Sequence, residues 1–575
     1  MLRRILGSAL VATIFLAGAF SIARAATLNV PSQYSTIQAA IAAARSGDNV
    51  VVASGVYSGP IYFGAIAITV SSSQGPERTI IKGTANAAVV TFGADQGAVS
   101  TLSGFTIMNG GGASTYGGGI ATSGSSPVIQ NCIIQGNLAL RGGGIYMNGG
   151  TPTVLDTRIV GNSTVSILSK GGGICTYNSS PRIERVRIIG NNTGDAGGGL
   201  FLEGGSPVIV DSVISDNTAV GQGGGLRGRF TTLLIQGTTI SDNKAGYSGG
   251  GIDAQDTTLT LEDSTVTGNR SVAEGGGIYA TPTATISDCT ISGNTTTGAS
   301  GRGGGLYLCG TVTVARCRIQ DNTAYSGGGG IATNNGLTIS VRDSLVTGNV
   351  STTAAGGGVS TFGPSPATLV NCTVAGNTAA IGGGGIACVD VGAGIVNSIL
   401  WGNTAPGTPD EVYLTPYATL TAQNSIVEGG WPGAWDVDPH FSGMGNDPYT
   451  LSGVGVPPID SGSNADAGSL DLLGMNRIQD GDGDGLAVVD LGCYEYAAQS
   501  STITIVAGTY NYVTNELHVE ATTPLGAMDF LEIPGLGPLT WDGQTGFWFI
   551  TAPDVFTPPL QASVCRSPGD CRVLQ

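Results

Sequence analysis

The sequence has few charged and few aromatic residues, and its basic residues are especially scarce. Of 575 residues, 11% are charged and 6% are aromatic, and 23 Lys or Arg stand against 40 Asp or Glu. Disordered chains combine high charge with low hydrophobicity, whereas 41% of this chain is hydrophobic. Phosphate contacts need a basic surface, so the composition excludes both disorder and a nucleic-acid partner.

After residue 25 the sequence lacks any apolar run long enough to cross a bilayer. The first 25 residues combine Arg3 and Arg4, an apolar stretch and the small-residue site Ala23-Arg24-Ala25. This pattern is typical of a secretory signal cleaved after Ala25. We therefore expect a bacterial protein that is secreted or displayed on the cell surface, with no transmembrane segment after cleavage. Cleavage would leave 20 basic and 40 acidic residues, which disfavours unassisted binding of polyuronates.

Glycine is abundant, with 96 residues, and it is clustered. Glycine inside a helix costs about 1 kcal/mol relative to Ala, so it favours a β-rich fold here. The triplet GGG precedes an aliphatic residue eleven times, at Ile120, Ile145, Ile174, Leu200, Leu226, Ile252, Ile278, Leu306, Ile331, Val359 and Ile386. Asparagines recur in step, 25 to 29 residues apart, at Asn137, Asn162, Asn191, Asn217, Asn243, Asn269, Asn294, Asn322, Asn349, Asn377 and Asn403.

Each repeat contains three short runs typical of β-strands, with aliphatic residues three and eight positions before the asparagine. A unit this small cannot bury its own apolar side, whereas identical units stacked at strand spacing share one continuous core. The sequence therefore predicts an all-β fold, a right-handed parallel β-helix of about 13–14 coils. A column of Asp, Asn, Arg and Gly six positions before each asparagine, including Asp156 and Asp211, is interpreted as a left-handed bend between strands.

The ends of the repeat region suggest caps and further domains. Ser35-Thr36-Ile37-Gln38 fits a capping box, and Ile37, Ala40 and Ile41 form the apolar stripe of a short helix. We predict a signal peptide at 1–25, an N-terminal cap with this helix at 26–49, the β-helix at 50–430, a tail at 431–498 and a small β-sandwich-like domain at 499–575.

Longer runs resemble known families. "VPSQYSTIQAAIAAARSGDNVVVASGVYSG", "GPERTIIKG" and "TLSGFTIMNG" resemble the start of secreted right-handed β-helix repeat proteins of the pectate-lyase-like superfamily. "DVDPHF", "YTLSGVGVPPIDSG" and "VVDLGCYEY" resemble the choice-of-anchor Q tail of bacterial surface β-helix proteins. The superfamily includes lyases, hydrolases, epimerases and proteins without known activity, so the resemblance implies a fold rather than one reaction.

The repeats lack the signatures of polygalacturonase-like hydrolases and the basic and acidic cluster of pectate lyases. Their short, uniform length also leaves little chain for the loops that build a catalytic cleft. We therefore expect a monomeric, non-catalytic binding or adhesion rod whose partner is a polysaccharide or another cell-surface component. The alternative is a polysaccharide lyase or glycoside hydrolase.

One column of residues, the second after each GGG, is expected to face outward. Its aromatic members are candidates for stacking on sugar rings, or simply suit a half-exposed strand; they are Tyr146, Phe201, Tyr279 and Tyr307. Arg227 and Asp253 are expected on neighbouring coils as a surface ion pair. If the protein is an enzyme, Arg227, Asp253 and the nearby Arg229 are the catalytic candidates.

The tail contains a candidate metal site. Asp480, Asp482 and Asp484 alternate around glycines, with Asp490 following. This spacing resembles a calcium loop, and both a structural calcium ion and a solvated acidic turn fit it. No other cofactor is indicated.

Ten cysteines in an exported chain suggest disulfides. Cys565 and Cys571 are close enough to bridge a short loop. Cys289 and Cys317 occupy equivalent positions on neighbouring coils, where strand spacing favours buried free thiols over a disulfide.

Overall fold

A computed structural model describes residues 25–94, 99–335, 337–363, 366–406, 410–443, 447–453 and 455–496. Beyond residue 503 it describes the backbone of strands only. The chain forms two compact units, unit 1 (Met1–Asp195 and Gly199–Val213) and unit 2 (Ala196–Gly198 and Ile214–Gln575). Residues 1–24, which make up almost all of the predicted signal peptide, lie outside the described residues.

Unit 1 consists of parallel strands that stack coil on coil. The first strand of a coil is Ile61–Phe63, Val90–Phe92, Ile120–Ser123, Ile145–Asn148, Ile174–Tyr177 or Leu200–Glu203. The second is Thr27–Val30, Asn49–Val52, Thr69–Ser72, Thr101–Ser103, Val128–Gln130, Thr153–Leu155, Arg182–Glu184 or Val208–Val210. The third is Gly55–Ser58, Thr79–Lys82, Thr106–Met108, Ile133–Gln135, Arg158–Val160 or Arg187–Ile189, and a short fourth is Leu138–Ala139, Ser163–Thr164 or Asn192–Thr193.

Unit 2 repeats this arrangement. Its first strands are Leu226–Arg229, Leu306–Leu308, Ile331–Asn334, Val359–Phe362, Ile386–Val389 and Val412–Leu414. Its second strands are Thr232–Gln236, Thr311–Ala315, Thr338–Arg342, Ala367–Val370, Ala393–Val396 and Leu420–Gln423, while Ile252–Glu262 and Ile278–Ser287 join first and second strands. Its third strands are Val213–Ser215, Thr239–Ser241, Thr265–Thr267, Thr290–Ser292, Arg318–Gln320, Leu345–Thr347, Thr373–Ala375, Ile399–Trp401, Ser425–Val427 and Ala434–Trp435. Its fourth strands are Thr218–Ala219, Lys244–Ala245, Arg270–Ser271, Thr295–Thr296, Thr323–Ala324, Val350–Ser351 and Thr378–Ala379.

Near the C-terminus the strands become antiparallel and form two four-stranded sheets. They are Thr504–Asn511, Glu516–Thr522, Glu532–Ile533, Gly537–Pro538, Thr540–Asp542, Phe547–Ala552, Ser563–Ser567 and Asp570–Val573. Cys565 is the register partner of Cys571. Their side chains lie outside the described part of the chain, so the disulfide between them stays a prediction.

The GGG triplet is required by the close approach of successive coils. In Gly249–Gly251, the first glycine has a φ of +63°, a left-handed conformation that favours glycine. A Cβ on Gly250 would lie 2.2 Å from the carbonyl oxygen of Gly276 on the next coil. A Cβ on Gly251 would lie 2.8 Å from the Gly277 oxygen. Each triplet therefore marks where the backbones of neighbouring coils come closest.

The core lies inside the coils, as the repeat predicts. Ile145, Val154 and Ile159 of one coil are fully buried, and so are their counterparts on neighbouring coils. The bend that precedes the third strand is left-handed, with a φ of 47° at Asp156 and 48° at Asp211. The interpretation of this column as a turn is confirmed.

The predicted N-terminal helix is present as Ile37–Ala43, and it buries Ile37, Ala40 and Ile41. Its N-cap is Thr36, whose hydroxyl accepts from the amide of Ala39, rather than Ser35. Gln38 therefore does not complete a capping box: its amide oxygen accepts from the Tyr62 amide at 2.7 Å instead.

The β-helix prediction is confirmed, with about 15 turns rather than 13–14. The difference arises at both ends, where the parallel strands Thr27–Val30 and Ala434–Trp435 lie outside the predicted range of 50–430. The short fourth strand that follows the asparagines from Asn137 to Asn377 was also absent from the prediction. In the described part of the chain, no helix has the length and apolar character needed to cross a membrane.

The described part of the tail packs on the outer side of the third strands of unit 2. Leu491 packs against Ile399 and Ile426. Cys493 and Tyr494 pack against Leu345. The tail thus has a hydrophobic contact surface of its own, outside the core enclosed by the coils.

Candidate functional site

In unit 1 the first strands carry a column of stacked aromatic rings. Tyr146 stacks on Tyr116 with ring centroids 5.1 Å apart, and Tyr177 lies 6.0 Å from both Tyr146 and Phe201. Phe201 was expected to offer its ring to a sugar, but it is only 1% exposed. The Lys170 ammonium lies 4.4 Å from the Phe201 ring centroid, on a turn that the strand pattern does not reveal. Phe201 is thus wrong as a stacking residue, while Tyr146 remains half-buried beside the exposed Tyr116.

In unit 2 the same column contains Tyr279 and Tyr307. They are register partners on neighbouring coils, and their rings stack with centroids 5.4 Å apart and planes 12° apart. The Tyr307 hydroxyl accepts from Asn334 Nδ2 at 2.8 Å. Tyr307 is 5% exposed, so it supports the ring of Tyr279 rather than facing solvent. Tyr279 itself is half-buried, and burial raises its pKa, so its hydroxyl remains protonated at neutral pH.

Tyr279 borders a cavity of about 300 Å³. The cavity is lined by Gln222, Tyr247, Ser248, Gln255, Glu274, Tyr279 and Tyr307. Two amides, a carboxylate and hydroxyls thus surround an aromatic ring, so the cavity offers both hydrogen-bond donors and acceptors. The turn between each asparagine and the next GGG forms its wall, with Ser248 and Glu274 at equivalent places on two coils and Tyr247 beside Ser248.

Arg227 and Asp253 adjoin this cavity, but they are not a surface ion pair. They are register partners, and Arg227 Nε lies 3.8 Å from Asp253 Oδ1. The Asp253 side chain is 1% exposed and that of Arg227 11% exposed, because the turn before the triplet covers them. The expectation of a surface pair is therefore wrong.

The buried carboxyl of Asp253 is incompletely satisfied. Its Oδ2 accepts from the Ser248 hydroxyl at 2.5 Å, while its Oδ1 and the Arg227 Nε have no hydrogen-bond partner. Burial raises the pKa of Asp253 to about 6, although Arg227 opposes the shift. The Arg227 guanidinium is held by Gln222 and by Gln255, the latter at 2.9 Å. Arg229, the third catalytic candidate, instead lies over the ring of Phe230.

The acidic run of the tail assembles differently from its prediction. Carboxylate oxygens of Asp460, Asp480 and Asp482 lie within 4.8 Å of one another, so these three could hold a hard cation such as calcium. Asp460 was missed, because it precedes the run by 20 residues. Its Oδ2 accepts from the amides of Gly481 and Asp482.

Asp484 and Asp490 lie outside this cluster. Asp484 Oδ1 accepts from the amide of Leu486 at 2.7 Å. Asp490 is fully buried and accepts from the amides of Asp460 and Tyr496. Burial, reinforced by Glu495, raises the pKa of Asp490 to about 8. Neither belongs to the cluster of three, and their assignment as calcium ligands stays a prediction.

Cys289 and Cys317 are buried free thiols, as expected. Burial and the neighbouring Cys289 raise the pKa of Cys317 well above its ordinary value. A thiol that stays protonated is a poor nucleophile, so this pair has a packing role.

The lining residues Gln222, Tyr247, Gln255 and Glu274 were missed from the sequence. They belong to turns and strand ends that vary from coil to coil, so no repeated column marks them. The one available signal was their position beside Tyr279 in consecutive repeats, once the register is known.

Comparison with known proteins supports the architecture. The family described as "Right handed beta helix region" matches residues 46–225, 118–283 and 273–437. No curated protein sequence matches the chain.

Among solved structures, the chain is similar to the catalytic domain of a GH87 α-1,3-glucanase in complex with nigerose, with 15% identity over 69% of this chain and 67% of that chain and a TM-score of 0.31. It is similar to pectate lyase Pel9A, with 12% identity, coverage of 83% and 98% and a TM-score of 0.23. It is also similar to the PL6 family alginate lyase AlyGC, with 11% identity, coverage of 70% and 76% and a TM-score of 0.23. Since the family matches together span residues 46–437, more than half of its length, the chain belongs to the right-handed β-helix family.

Proposed function

We propose that the protein binds polysaccharide without cleaving it, and that the cavity beside Tyr279 seats a sugar ring. The observation that carries this proposal is the half-buried ring of Tyr279, held by Tyr307 at the edge of a cavity of about 300 Å³. A sugar ring presents apolar C–H groups to an aromatic face and hydroxyls to its rim. Gln222, Gln255 and Glu274 supply the polar partners for such hydroxyls.

Burial favours binding over catalysis. Asp253 has a pKa of about 6, which suits proton transfer near neutral pH. However, Asp253 is 0% exposed and is covered by Ser248, so it does not reach a molecule in the cavity. A proton-transfer group must come within hydrogen-bond distance of its substrate.

A lyase or glycoside hydrolase is the second candidate function. It is favoured by the two facing atoms, Arg227 Nε and Asp253 Oδ1, which are buried 3.8 Å apart without hydrogen-bond partners. Unsatisfied buried polar groups are rare and mark candidate sites. A movement of Ser248 that admits substrate would make this pair an acid–base couple.

Titration calorimetry with neutral and acidic polysaccharides tests the proposal. Tyr279→Ala should weaken binding at least tenfold, because it removes the ring face. Tyr417→Ala is the matched control, since Tyr417 is 88% exposed and lies outside the cavity. Absence of binding across the panel would overturn the proposal, and new reducing ends or unsaturated products, lost in Asp253→Asn, would favour the enzyme.

Export and surface attachment belong to the same proposal. The N-terminal 25 residues would direct secretion and be removed, and the tail resembling choice-of-anchor Q would hold the protein, as a monomer, at the cell surface. Cell fractionation and N-terminal mass spectrometry test this. A mature protein that begins at Ala26 in the surface fraction is the expected result, and an uncleaved cytosolic chain would contradict it.

A further inference from the structure

A second cavity, of about 450 Å³, lies where the asparagine column of unit 2 ends. On each earlier step of this column, one asparagine oxygen accepts from the backbone amide and from Nδ2 of the preceding asparagine. Asn377, for example, donates to Asn403 Oδ1 at 2.9 Å and 2.8 Å. At the last step both donors of Asn403 turn to Glu411, with N–H to Oε1 at 2.9 Å and Nδ2 to Oε2 at 2.6 Å. Glu411 thus takes the place of the next asparagine.

This replacement puts an acid where each earlier step of the asparagine column has a neutral amide. An asparagine would donate onward to a further asparagine, whereas both carboxyl oxygens of Glu411 are acceptors for Asn403. Glu411 is 4% exposed and lines the cavity. Burial raises its pKa to about 8, and Glu428, in hydrogen-bond contact with it, adds to the shift. No ion pair in the described part of the chain involves Glu411 or Glu428.

An aromatic residue lines the same cavity as these two acids. Trp431 lines it and is half-buried. Its indole N–H donates to the Leu420 carbonyl at 3.2 Å, which fixes the ring. Tryptophan is the aromatic residue that attracts cations most strongly, and its face also suits the C–H side of a sugar ring.

We propose that this cavity binds an amino sugar, with the primary ammonium held between Glu411 and Glu428 and the sugar ring against Trp431. Glu411 releases its proton on binding, and the ammonium, with three N–H donors and no acceptor, takes its place as the donor to both carboxylates. A bare metal ion fits less well, because calcium takes 6–8 oxygen ligands. The acids that converge tightly in the described residues are Asp460, Asp480 and Asp482 instead.

Calorimetry with glucosamine, N-acetylglucosamine and butylamine on the full-length protein tests this inference. Glucosamine should bind at least tenfold more tightly than N-acetylglucosamine, which has the same ring without the charge. It should also bind more tightly than butylamine, which has the charge without the ring. Equal affinity for glucosamine and N-acetylglucosamine, or for glucosamine and butylamine, would overturn the proposal, as would detectable binding of none.

Two variants separate this site from its alternatives. Glu428→Gln should weaken glucosamine binding at least tenfold without unfolding the protein, because Glu428 is exposed. Asp438→Asn is the control, since Asp438 is also exposed and does not line the cavity. Displacement of glucosamine by equimolar calcium would instead indicate a metal site and overturn the proposal. Tyr279→Ala should leave glucosamine binding unchanged, so the proposals for the two cavities are tested independently of each other.

Discussion

The Nδ2 group of Asn162 donates to the side-chain oxygen of Asn191 on the next coil at 3.0 Å. The same oxygen accepts from the backbone amide of Asn162 at 2.9 Å, and Asn191 Nδ2 donates to the Ile159 carbonyl at 2.9 Å. Asn191 is fully buried. One side chain therefore satisfies three polar groups of the preceding coil inside unit 1, which explains why asparagine recurs at this place.

Asn191→Ala should lower the free energy of unfolding by at least about 3 kcal/mol, because each buried polar group left without a partner costs about 1–3 kcal/mol. Asn192→Ala is a matched control one residue away, since Asn192 is exposed, and it should change stability by less than about 0.5 kcal/mol. Urea unfolding followed by circular dichroism measures both. Similar losses in the two variants would contradict a special role for the buried column.

The coil architecture could be predicted because its constraints repeat. A Cβ on Gly250 has no room beside Gly276, and the same conflict recurs at each triplet, so the sequence displays it many times. Asparagine recurs for a similar reason, because each one makes buried hydrogen bonds to the neighbouring coil. By contrast, the coil at Ala434–Trp435 has neither a glycine triplet nor an asparagine of the column, which ends at Glu411.

The candidate site was predictable only in part. Side chains alternate between the two faces of a strand, so the sequence predicts which of them point away from the core. Tyr279 was placed correctly on the outer side for this reason. The alternation does not predict which outward side chains a neighbouring turn covers. Phe201 and Asp253 were therefore expected at the surface but are buried. Glu411 could not be found because it belongs to no repeated column, and Asp460 could not be found because it precedes its partners by 20 residues or more.

Calcium should stabilise the tail if the acidic cluster holds it. Calcium at 100 times its dissociation constant would add about 2.7 kcal/mol. Asp482→Asn should abolish the rise in melting temperature, because Asp482 belongs to the cluster with Asp460 and Asp480. Asp484→Asn should keep it, because Asp484 lies outside the cluster. Differential scanning calorimetry with calcium or with a chelator measures the shift in melting temperature. The same shift in both variants would exclude this cluster as the calcium site.

The stability of the protein should fall as pH rises from about 5 to about 8. Glu411 has a folded-state pKa of about 8 against an ordinary value of 4.5. A carboxyl with a raised pKa binds its proton more tightly when folded. Its contribution is therefore full below pH 4.5 and is lost as pH passes 8.

One such group can change stability by at most about 1.4 kcal/mol per pH unit. Glu411→Gln should make the curve shallower, because a neutral amide oxygen can accept from Asn403 as the earlier asparagines do. Asp490, whose pKa is also about 8, should cause the slope that remains. Asp438→Asn, at an exposed position, should leave the curve unchanged. Melting temperatures at several pH values measure this, and a wild-type slope retained in Glu411→Gln would show that other groups cause it.

Arg477 should be the main attachment of the tail to the coils of unit 2. Its side chain is 0% exposed, and its Nε lies 2.9 Å from Asp343 Oδ1 on a coil. Its Nη1 lies 3.3 Å from Glu495 within the tail. Removing one member of a buried ion pair leaves an uncompensated charge and costs about 3–5 kcal/mol.

Arg477→Met should therefore release the tail before the coils unfold, because Asp343 and Glu495 would both stay buried without a positive charge beside them. Limited proteolysis with mass-spectrometric mapping should show cleavage between residues 455 and 496 at least tenfold faster than in the wild type. Arg270→Met is the control, because Arg270 is exposed on a fourth strand of the same unit. Equal cleavage rates in the two variants would mean that other contacts, including the ion pair of Arg318 with Asp447 and the packing of Leu491 and Tyr494, hold the tail without Arg477.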